Sequence, residues 1–328
     1  MKKDLRQQVF SIASEQEFND LALATFKLQY AENSVYRSFV QALNMQAEEL
    51  TDFRQIPFLP VEFFKTHDLS CSTATPEIVF SSSGTTGMVQ SKHPVLDLSW
   101  YEESFTKGFE FFYGDVSQYT ILALLPSYLE REGSSLIYMV DELIKGSEQP
   151  LSGYFLHNHQ DLYQTLCDLK EKKKKVLLIG VTYALLDFIE TYTIDFPELI
   201  VMETGGMKGK RREMVRAELH QILCQGFQVR TIHSEYGMTE LLSQGYSKGE
   251  GIFSCPPWMR VLARDINDPL SLVESGRTGG INIIDLANRN SCAFISTQDL
   301  GKVYPNGSFE IAGRFDNSDI RGCNLLVQ

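Results

Sequence analysis

The sequence predicts an α/β protein: mostly parallel sheets covered by helices, followed by a small antiparallel β sheet or barrel. Three observations predict it. The apolar runs Tyr119–Leu125, Val176–Ile179 and Leu199–Met202 are continuous rather than alternating, as in strands buried on both faces. Amphipathic stretches of helical period separate them, which is the pattern of βαβ units. After Gly251 the texture breaks into short strand candidates punctuated by Gly, Pro, Asn and Asp.

Taken in order, the first part, residues 1–75, reads as helical. Ser14 and Glu17 have capping-box spacing, and Phe18, Leu21, Ala22 and Phe26 then fall on one helical face. Pro57 and Pro60 break the stretch Ile56–Asp68, IPFLPVEFFKTHD. Residues 76–253 read as an α/β core. Ile78–Phe80 is a short strand. Ser99 with Glu102 caps a helix running to about Phe112, and Tyr119–Leu125 is the next strand. Helices over Ser134–Leu143, Asp161–Lys172, Ala184–Tyr192 and Lys208–Leu223 alternate with strands at Val176–Ile179, Leu199–Met202 and Val229–His233. Residues 254–312 read as a small β subdomain, with strands at Arg260–Ala263, Gly280–Ile284, Cys292–Ser296 and Lys302–Tyr304, and 313–328 as a hinge-like tail. The basic run Lys172–Lys175 reads as a solvated helix end.

Composition narrows the function. The 328 residues are 43% hydrophobic and 22% charged, enough apolar material for a sizeable core. A net charge of −12 disfavours general binding to nucleic acid or anionic lipid. No stretch reaches the roughly 20 apolar residues of a membrane span; the best, Val176–Ile189, is interrupted by Gly180, Thr182 and Asp187. The start, MKKDLRQQVF, turns polar too early for a signal peptide. None of the six cysteines forms a C-x-x-C pair, so the reading is a cytoplasmic protein with free thiols.

Four segments carry chemistry. Directly after the Ile78–Phe80 strand comes Ser81-Ser82-Ser83-Gly84-Thr85-Thr86-Gly87, whose hydroxyls, backbone N–H groups and glycines suit phosphate oxygens. It matches neither the Walker pattern nor G-x-G-x-x-G, and no serine sits in G-x-S-x-G. Ser234-Glu235-Tyr236-Gly237-Met238-Thr239-Glu240 brings a ring for stacking, a hydroxyl for phosphate and an oxygen ligand for Mg²⁺ into one turn. Ser296-Thr297-Gln298-Asp299 and Gly313-Arg314-Phe315-Asp316 supply an acceptor for ribose hydroxyls and a cation. Each alone is weak; the bland readings are a surface turn for the first and a strand-to-helix turn with Glu240 at a helix start for the second.

Together and in this order, SSSGTTG, YGMTE, ISTQDLG and GRFDNSDIRG resemble the motifs of the superfamily of acyl-CoA synthetases, peptide-synthetase adenylation domains and firefly-type luciferases. IPFLPVEFFKTH and the position of the hinge motif resemble most closely the acyl-protein synthetases of bacterial bioluminescence fatty acid reductase complexes. The match spans residues 56 to 323, and CPPWMRVLAR also resembles phenylacetate-CoA ligases. The resemblance implies the large domain of the acyl-adenylate-forming fold, with ATP and Mg²⁺ as cofactors and a carboxylic acid, fatty or aryl, as substrate. It assigns Ser81–Gly87 to the ATP phosphates, Tyr236, Gly237 and Met238 with Gly205 and Gly206 to adenine, and Thr239 to phosphate. It assigns Glu240 to Mg²⁺ and Asp299 and Arg314 to ribose. His233 is a candidate contact for the acyl carboxylate, or a satisfied core histidine. Cys323 corresponds to the thiol that takes the acyl group in the bioluminescence synthetases. The partners implied are a reductase, an acyltransferase or an acyl-carrier protein, with CoA as an alternative thiol.

The departures matter as much. Met88-Val89-Gln90 replaces the usual Pro-Lys after the phosphate loop, and Gln298 stands where Gly is usual. The sequence ends at Gln328, so the resemblance implies absence of the C-terminal domain of roughly 100 residues and of its lysine. Lys92, Lys208 and Lys210 are candidate substitutes. A short acyl-CoA ligase and a partner-dependent acyl- or nucleotide-binding subunit remain as alternatives. The cluster Lys208, Lys210, Arg211 and Arg212 resembles a phosphate patch but opposes a helix dipole, and His157-Asn158-His159 reads as a loop.

Overall fold

A computed structural model describes residues 4–82, 89–126, 133–205, 211 and 214–315. Helices α1 (Leu5–Val9), α2 (Glu15–Glu32) and α3 (Ser34–Ala42) open the chain. Ser14 caps α2 by accepting from the Glu17 N–H. The Glu17 carboxylate reaches back to the Ala13 N–H at 2.8 Å, one residue beyond the reciprocal partner of a full capping box. The buried face of α2 carries Phe18, Leu21, Ala22 and Phe26, as the spacing predicts.

The Pro-punctuated stretch forms β1 (Leu59–Pro60) and the short α4 (Phe63–Thr66). Next come β2 (Ile78–Ser81), β3 (Lys92–Val95), α5 (Leu98–Tyr113), β4 (Tyr119–Leu124), α6 (Ser135–Ser147), β5 (Gly153–Tyr154), α7 (His159–Glu171) and β6 (Lys175–Val181). Then follow α8 (Thr182–Thr191), β7 (Ile200–Thr204), α9 (Arg216–Phe227), β8 (His233–Tyr236), β9 (Gly245–Ser247) and β10 (Ile252–Ser254). The last four strands are β11 (Met259–Arg264), β12 (Thr278–Asp285), β13 (Phe294–Val303) and β14 (Phe309–Arg314).

The main sheet has the order β11–β12–β13–β14–β10–β9–β8–β7–β6–β4–β5, with β1 joined to β13. Strands β5, β4, β6, β7 and β8 are parallel. Every later pairing along the path is antiparallel, beginning with β8 on β9. The antiparallel portion is thus hydrogen-bonded directly onto the parallel one. Each residue of β4 and six of the seven in β6 are buried, which is why these strands read as unbroken apolar runs. Helix α6 packs on β4, and α8 on β6 and β7.

Five expectations need correction. The strand beginning at Ile78 is outside the main sheet: β2 pairs antiparallel with β3 as a separate two-stranded sheet. Helix α5 is capped by Asp97, which accepts from the Ser99 N–H; Ser99 lies inside the helix. Helix α9 starts at Arg216 and runs past Leu223 to Phe227. The strand expected at Val229–His233 begins only at His233, so SEY belongs to the strand itself. The candidates Cys292–Ser296 and Lys302–Tyr304 are one ten-residue strand, β13. Polar Thr297, Gln298 and Asp299 interrupt its apolar pattern, and β14 flanks it unforeseen.

Candidate active site

The ends of β7 and β8, the β2–β3 hairpin, β13, β14 and α4 meet around one region. In open α/β sheets the carboxyl ends of parallel strands are where ligands bind. Three of the four sequence segments come together there. The Tyr236 hydroxyl, at the end of β8, donates to Asp299 Oδ2 at 2.7 Å. Arg314 Nε donates to Asp299 Oδ1 at 3.0 Å, and the two residues are direct cross-strand partners on β13 and β14. Asp299 is 5% exposed, whereas the Arg314 side chain is 69% exposed. Tyr236 packs edge-on against Phe253 and Phe309. Burial, and then the Asp299 carboxylate, hold its phenol well above the ordinary value, so it stays a donor. Asp299 is itself oriented by its own N–H, which bonds Thr297 Oγ1 at 3.0 Å.

Glu240 is buried, 5% exposed. Burial raises its carboxyl, while the Ser91 hydroxyl and its own N–H, together with the charges of Arg314 and Lys65, pull it back down. Ser91 faces Ser82 across the hairpin: the Ser91 N–H donates to Ser82 Oγ at 2.9 Å, and the Ser82 N–H to the Ser91 carbonyl at 3.1 Å. Ser81 is held by a bond from its N–H to the Gly133 carbonyl at 2.8 Å. The hairpin that carries the serine–glycine segment therefore touches Glu240 directly. Ser83, Gly84, Thr85, Thr86 and Gly87 lie outside the described residues, as do Gly206, Lys208, Lys210, Arg212 and Cys323.

The turn after β8 is fastened by residues that sequence reasoning missed. His93 Nδ1 lies 2.8 Å from the Thr239 carbonyl, and Asn288 Nδ2 donates to the Glu240 carbonyl at 2.8 Å. Burial pushes the His93 ring down to about 4, so it is neutral near pH 7. Asp285 accepts from the Leu242 and Ser243 N–H groups at 2.7 and 3.0 Å and from the Ser243 hydroxyl at 2.5 Å. Every one of those partners donates, as an ionised carboxylate requires. Just before α4, Glu62 accepts from the Gln298 amide at 2.5 Å, which ties the unusual Gln298 to the VEFF segment. Lys65, one turn further along α4, supplies one of the charges acting on Glu240. Nothing in the local sequence around these residues signals such partners.

Two glycines have physical reasons. Gly205 turns the chain after β7 at φ 69°, in the left-handed region, with its carbonyl bonded by Thr182 Oγ1 at 3.1 Å. A Cβ at Gly237 would stand 2.4 Å from Glu235 Oε1. Met238 and Thr239 are half-buried beside them. His233 faces α5: its Nδ1 lies 3.1 Å from the Tyr113 hydroxyl, and burial, then the Lys248 charge, lower it to about 4. Arg211 is committed to ion pairs with Asp187 and Glu190, so it is not a free phosphate ligand. Lys92 is exposed at the hairpin edge opposite Ser81. His159 opens α7, and no cluster of three metal-ligating side chains occurs among the described residues. Ser234, His220 and Glu203 adjoin one another, yet Ser234 Oγ and Glu203 Oε1 both face the same His220 Nε2 at 3.5 Å. A nucleophile–base–acid relay needs both ring nitrogens.

The donor set fits a magnesium nucleotide. Asp299 uses one lone pair on each oxygen and keeps others for ribose hydroxyls. Glu240 offers a single acceptor-only carboxylate, and Mg²⁺ bound to nucleotide typically takes one or two protein carboxylates.

Comparison with known proteins bears on the family pattern and the fold. Residues 8–98 match the sequence pattern of the family described as acyl-protein synthetase, LuxE. No curated protein matches the chain. Among solved structures, an open conformation of 2-hydroxyisobutyryl-CoA ligase in complex with 2-HIB-AMP and CoA superposes with a TM-score of 0.66 at 10% identity, covering 92% of this chain and 70% of that one. The same ligase in its postadenylation state with 2-HIB-AMP gives 0.66 at 12% identity, covering 92% and 68%. ATP-bound MatB from Rhodopseudomonas palustris gives 0.54 at 16% identity, covering 74% of this chain and 49% of that one, about half its length. No helix among the described residues is long and apolar enough to cross a membrane. The chain carries the acyl-protein synthetase sequence pattern over residues 8–98 and has the α/β fold of AMP-forming acyl-CoA ligases over 92% of its length.

Proposed function

We propose that the protein is an AMP-forming acid–thiol ligase that activates a carboxylic acid as its acyl-adenylate and passes the acyl group to a thiol. The observation that carries the reading is the Tyr236–Asp299–Arg314 convergence, which joins three separated segments into one nucleotide-shaped set of donors and acceptors. In this reading Asp299 receives the ribose hydroxyls, with Arg314 holding it and reaching the phosphates. Tyr236, Gly237, Met238, Gly205 and Gly206 border adenine. Ser81–Gly87 and Thr239 donate to the phosphates, and Glu240 holds Mg²⁺, which when bound supplies charge neutralisation for the leaving pyrophosphate.

The substrate carboxylate oxygen attacks the α-phosphorus, the bond to the β-phosphate oxygen breaks, and pyrophosphate leaves. A thiolate then attacks the acyl carbonyl, the C–O bond to AMP breaks, and a thioester remains. Charge develops on oxygen in both steps, so fixed donors contribute more here than covalent participation. Burial raises the Cys71, Cys255 and Cys292 thiols to about 12, which leaves them protonated and poor acceptors near neutral pH. Cys323 is our assignment for the acyl acceptor, with a reductase, acyltransferase or acyl-carrier protein in the cytoplasm as the next partner. CoA is the second reading, favoured by the likeness to ligases solved with CoA.

Carboxylate-dependent ATP–pyrophosphate exchange across a panel of fatty and aryl acids tests this. Exchange is expected with one acid class. Glu240→Ala is expected to abolish it, whereas Cys323→Ser leaves exchange intact and removes covalent labelling by radioactive acid. Exchange retained in Glu240→Ala would remove the metal assignment. CoA thioester formation without labelled protein would select the second reading.

A further inference from the structure

His93 is completely buried on β3, the strand by which the chain leaves the serine–glycine segment. Phe64 of α4 pins its ring edge-on, with centroids 5.5 Å apart at 83°. Nδ1 faces the Thr239 carbonyl at 2.8 Å, and Nε2 faces Asn288 Oδ1 at 3.1 Å. The orientation of the Asn288 amide is fixed independently. Its nitrogen donates to the Glu240 and Cys292 carbonyls at 2.8 and 2.9 Å, and flipping it would set oxygen against both. Both nitrogens of His93 therefore face acceptors, although a neutral imidazole has one N–H. The shorter contact, at Thr239, takes the proton.

Two consecutive carbonyls, those of Thr239 and Glu240, are thus clamped by side chains that reach them from the far side of the turn. Ser91 immediately precedes β3 and His93 lies on it, two residues further along. One binds the Glu240 carboxylate and the other fixes the backbone that carries it.

We propose that His93 is a positioning residue: its Nδ1–H, with Asn288 as second clamp, sets the direction of the Glu240 carboxylate and couples it to the strand bearing the serine–glycine segment. This rests on the reading of Glu240 as the metal ligand. His93 touches neither nucleotide nor acid, and it acts only through the turn.

The test compares His93→Asn with His93→Gln in the full chain. Asparagine places its amide near the Nδ1 position and keeps the Thr239 bond. Glutamine places it near Nε2, reaches only Asn288 and loses the Thr239 bond. Glutamine is expected to lower Mg²⁺-dependent pyrophosphate exchange about 100-fold and to raise the Mg²⁺ requirement, while asparagine stays within about threefold of the parent. ATP binding measured without metal is expected to be unchanged in both. Amide hydrogen exchange over residues 237–245 gives a reading that needs no activity: glutamine is expected to speed it roughly tenfold relative to asparagine. Asn288→Ser, which frees the Glu240 and Cys292 carbonyls and removes the group facing His93 Nε2, is expected to raise exchange over the same segment. Equal behaviour of the two His93 variants in both measurements overturns the proposal. A parent protein with no carboxylate-dependent exchange overturns the proposed function instead, and the hydrogen-exchange contrast still decides the role of His93.

Discussion

At the scale of single residues, the site is governed by what surrounds Glu235 and Tyr236. Adjacent along β8, their side chains point to opposite faces of the sheet. Tyr236 meets Asp299. Glu235 accepts from Thr204 Oγ1 at 2.6 Å. Burial raises its carboxyl from 4.5 to about 7, with the nearby Glu203 adding to the rise and Thr204 opposing it. Its folded pKa lies above its unfolded value, so its contribution to stability is fully present below pH 4.5 and is lost as pH rises through 7. Glu235→Gln keeps an acceptor for Thr204 and removes the titration. The stability difference between parent and variant is expected to shift by about 3 kcal/mol between pH 4 and 8, in the variant's favour at high pH. Urea melts at several pH values measure it. Taking the difference isolates Glu235 from His93 and His233, whose lowered values give the opposite slope as pH falls toward 4. Gly237 depends on the same carboxylate. Glu235 is held through its other oxygen and cannot retreat, so Gly237→Ala is expected to cost about 1–3 kcal/mol in urea unfolding and to lower exchange activity.

At the scale of elements, the legible parts were those whose burial is uniform. Strands β4 and β6 and the first half of β7 announce themselves because their residues are buried and mostly apolar on both faces. Strand β13 does not, because its middle residues are polar and each is satisfied by a distant partner. Thr297 Oγ1 donates to the Ile281 carbonyl, Gln298 to Glu62, and Asp299 accepts from Tyr236 and Arg314. A polar break in an apolar run reads as a loop unless those partners are known. The hairpin of β2 and β3 was hidden differently: an apolar run shows that a segment is a strand and leaves its sheet unspecified. Helix α2 presents the converse case, an apolar face with a buried amide on it. Gln29 donates to the Asn288 and Arg289 carbonyls at 2.9 and 2.8 Å and accepts from the Ala293 N–H at 3.0 Å. Gln29→Ala removes these bonds, leaving the Arg289 carbonyl only the Cys71 thiol, and is expected to destabilise the protein by about 2–4 kcal/mol in urea melts. Because Asn288 carries the second clamp on the Glu240 carbonyl, the same variant is expected to lower pyrophosphate exchange as well.

At the scale of the whole molecule, the site is assembled from both ends of the sequence. The motif segments were legible because each concentrates several chemical groups within seven residues or fewer. Ser91, His93, Asp285 and Asn288 were not, because each is a lone polar residue whose partner lies far along the chain; His93 is 146 positions from Thr239 and 195 from Asn288. The N-terminal helices are built into this arrangement. Strand β1 pairs with β13, Asn33 donates to the Leu69 and Ser291 carbonyls, and the Tyr36 hydroxyl donates to the Pro57 carbonyl. One continuous apolar core runs from Val9 to Phe309, passing through residues of the segments 1–75, 76–253 and 254–312. Segments that share a core and a sheet have no separate stability to lose. Urea unfolding is therefore expected to be a single transition, coincident by tryptophan fluorescence and far-ultraviolet circular dichroism. Trp100 and Trp258 both pack against Phe10, from α5 and from the segment leading into β11, so fluorescence reports on the junction itself. A fluorescence change that precedes the loss of ellipticity would mean that the N-terminal helices detach first. The turn held by Asn288 would then lose its anchor before the sheet unfolds, and pyrophosphate exchange would fall with the fluorescence.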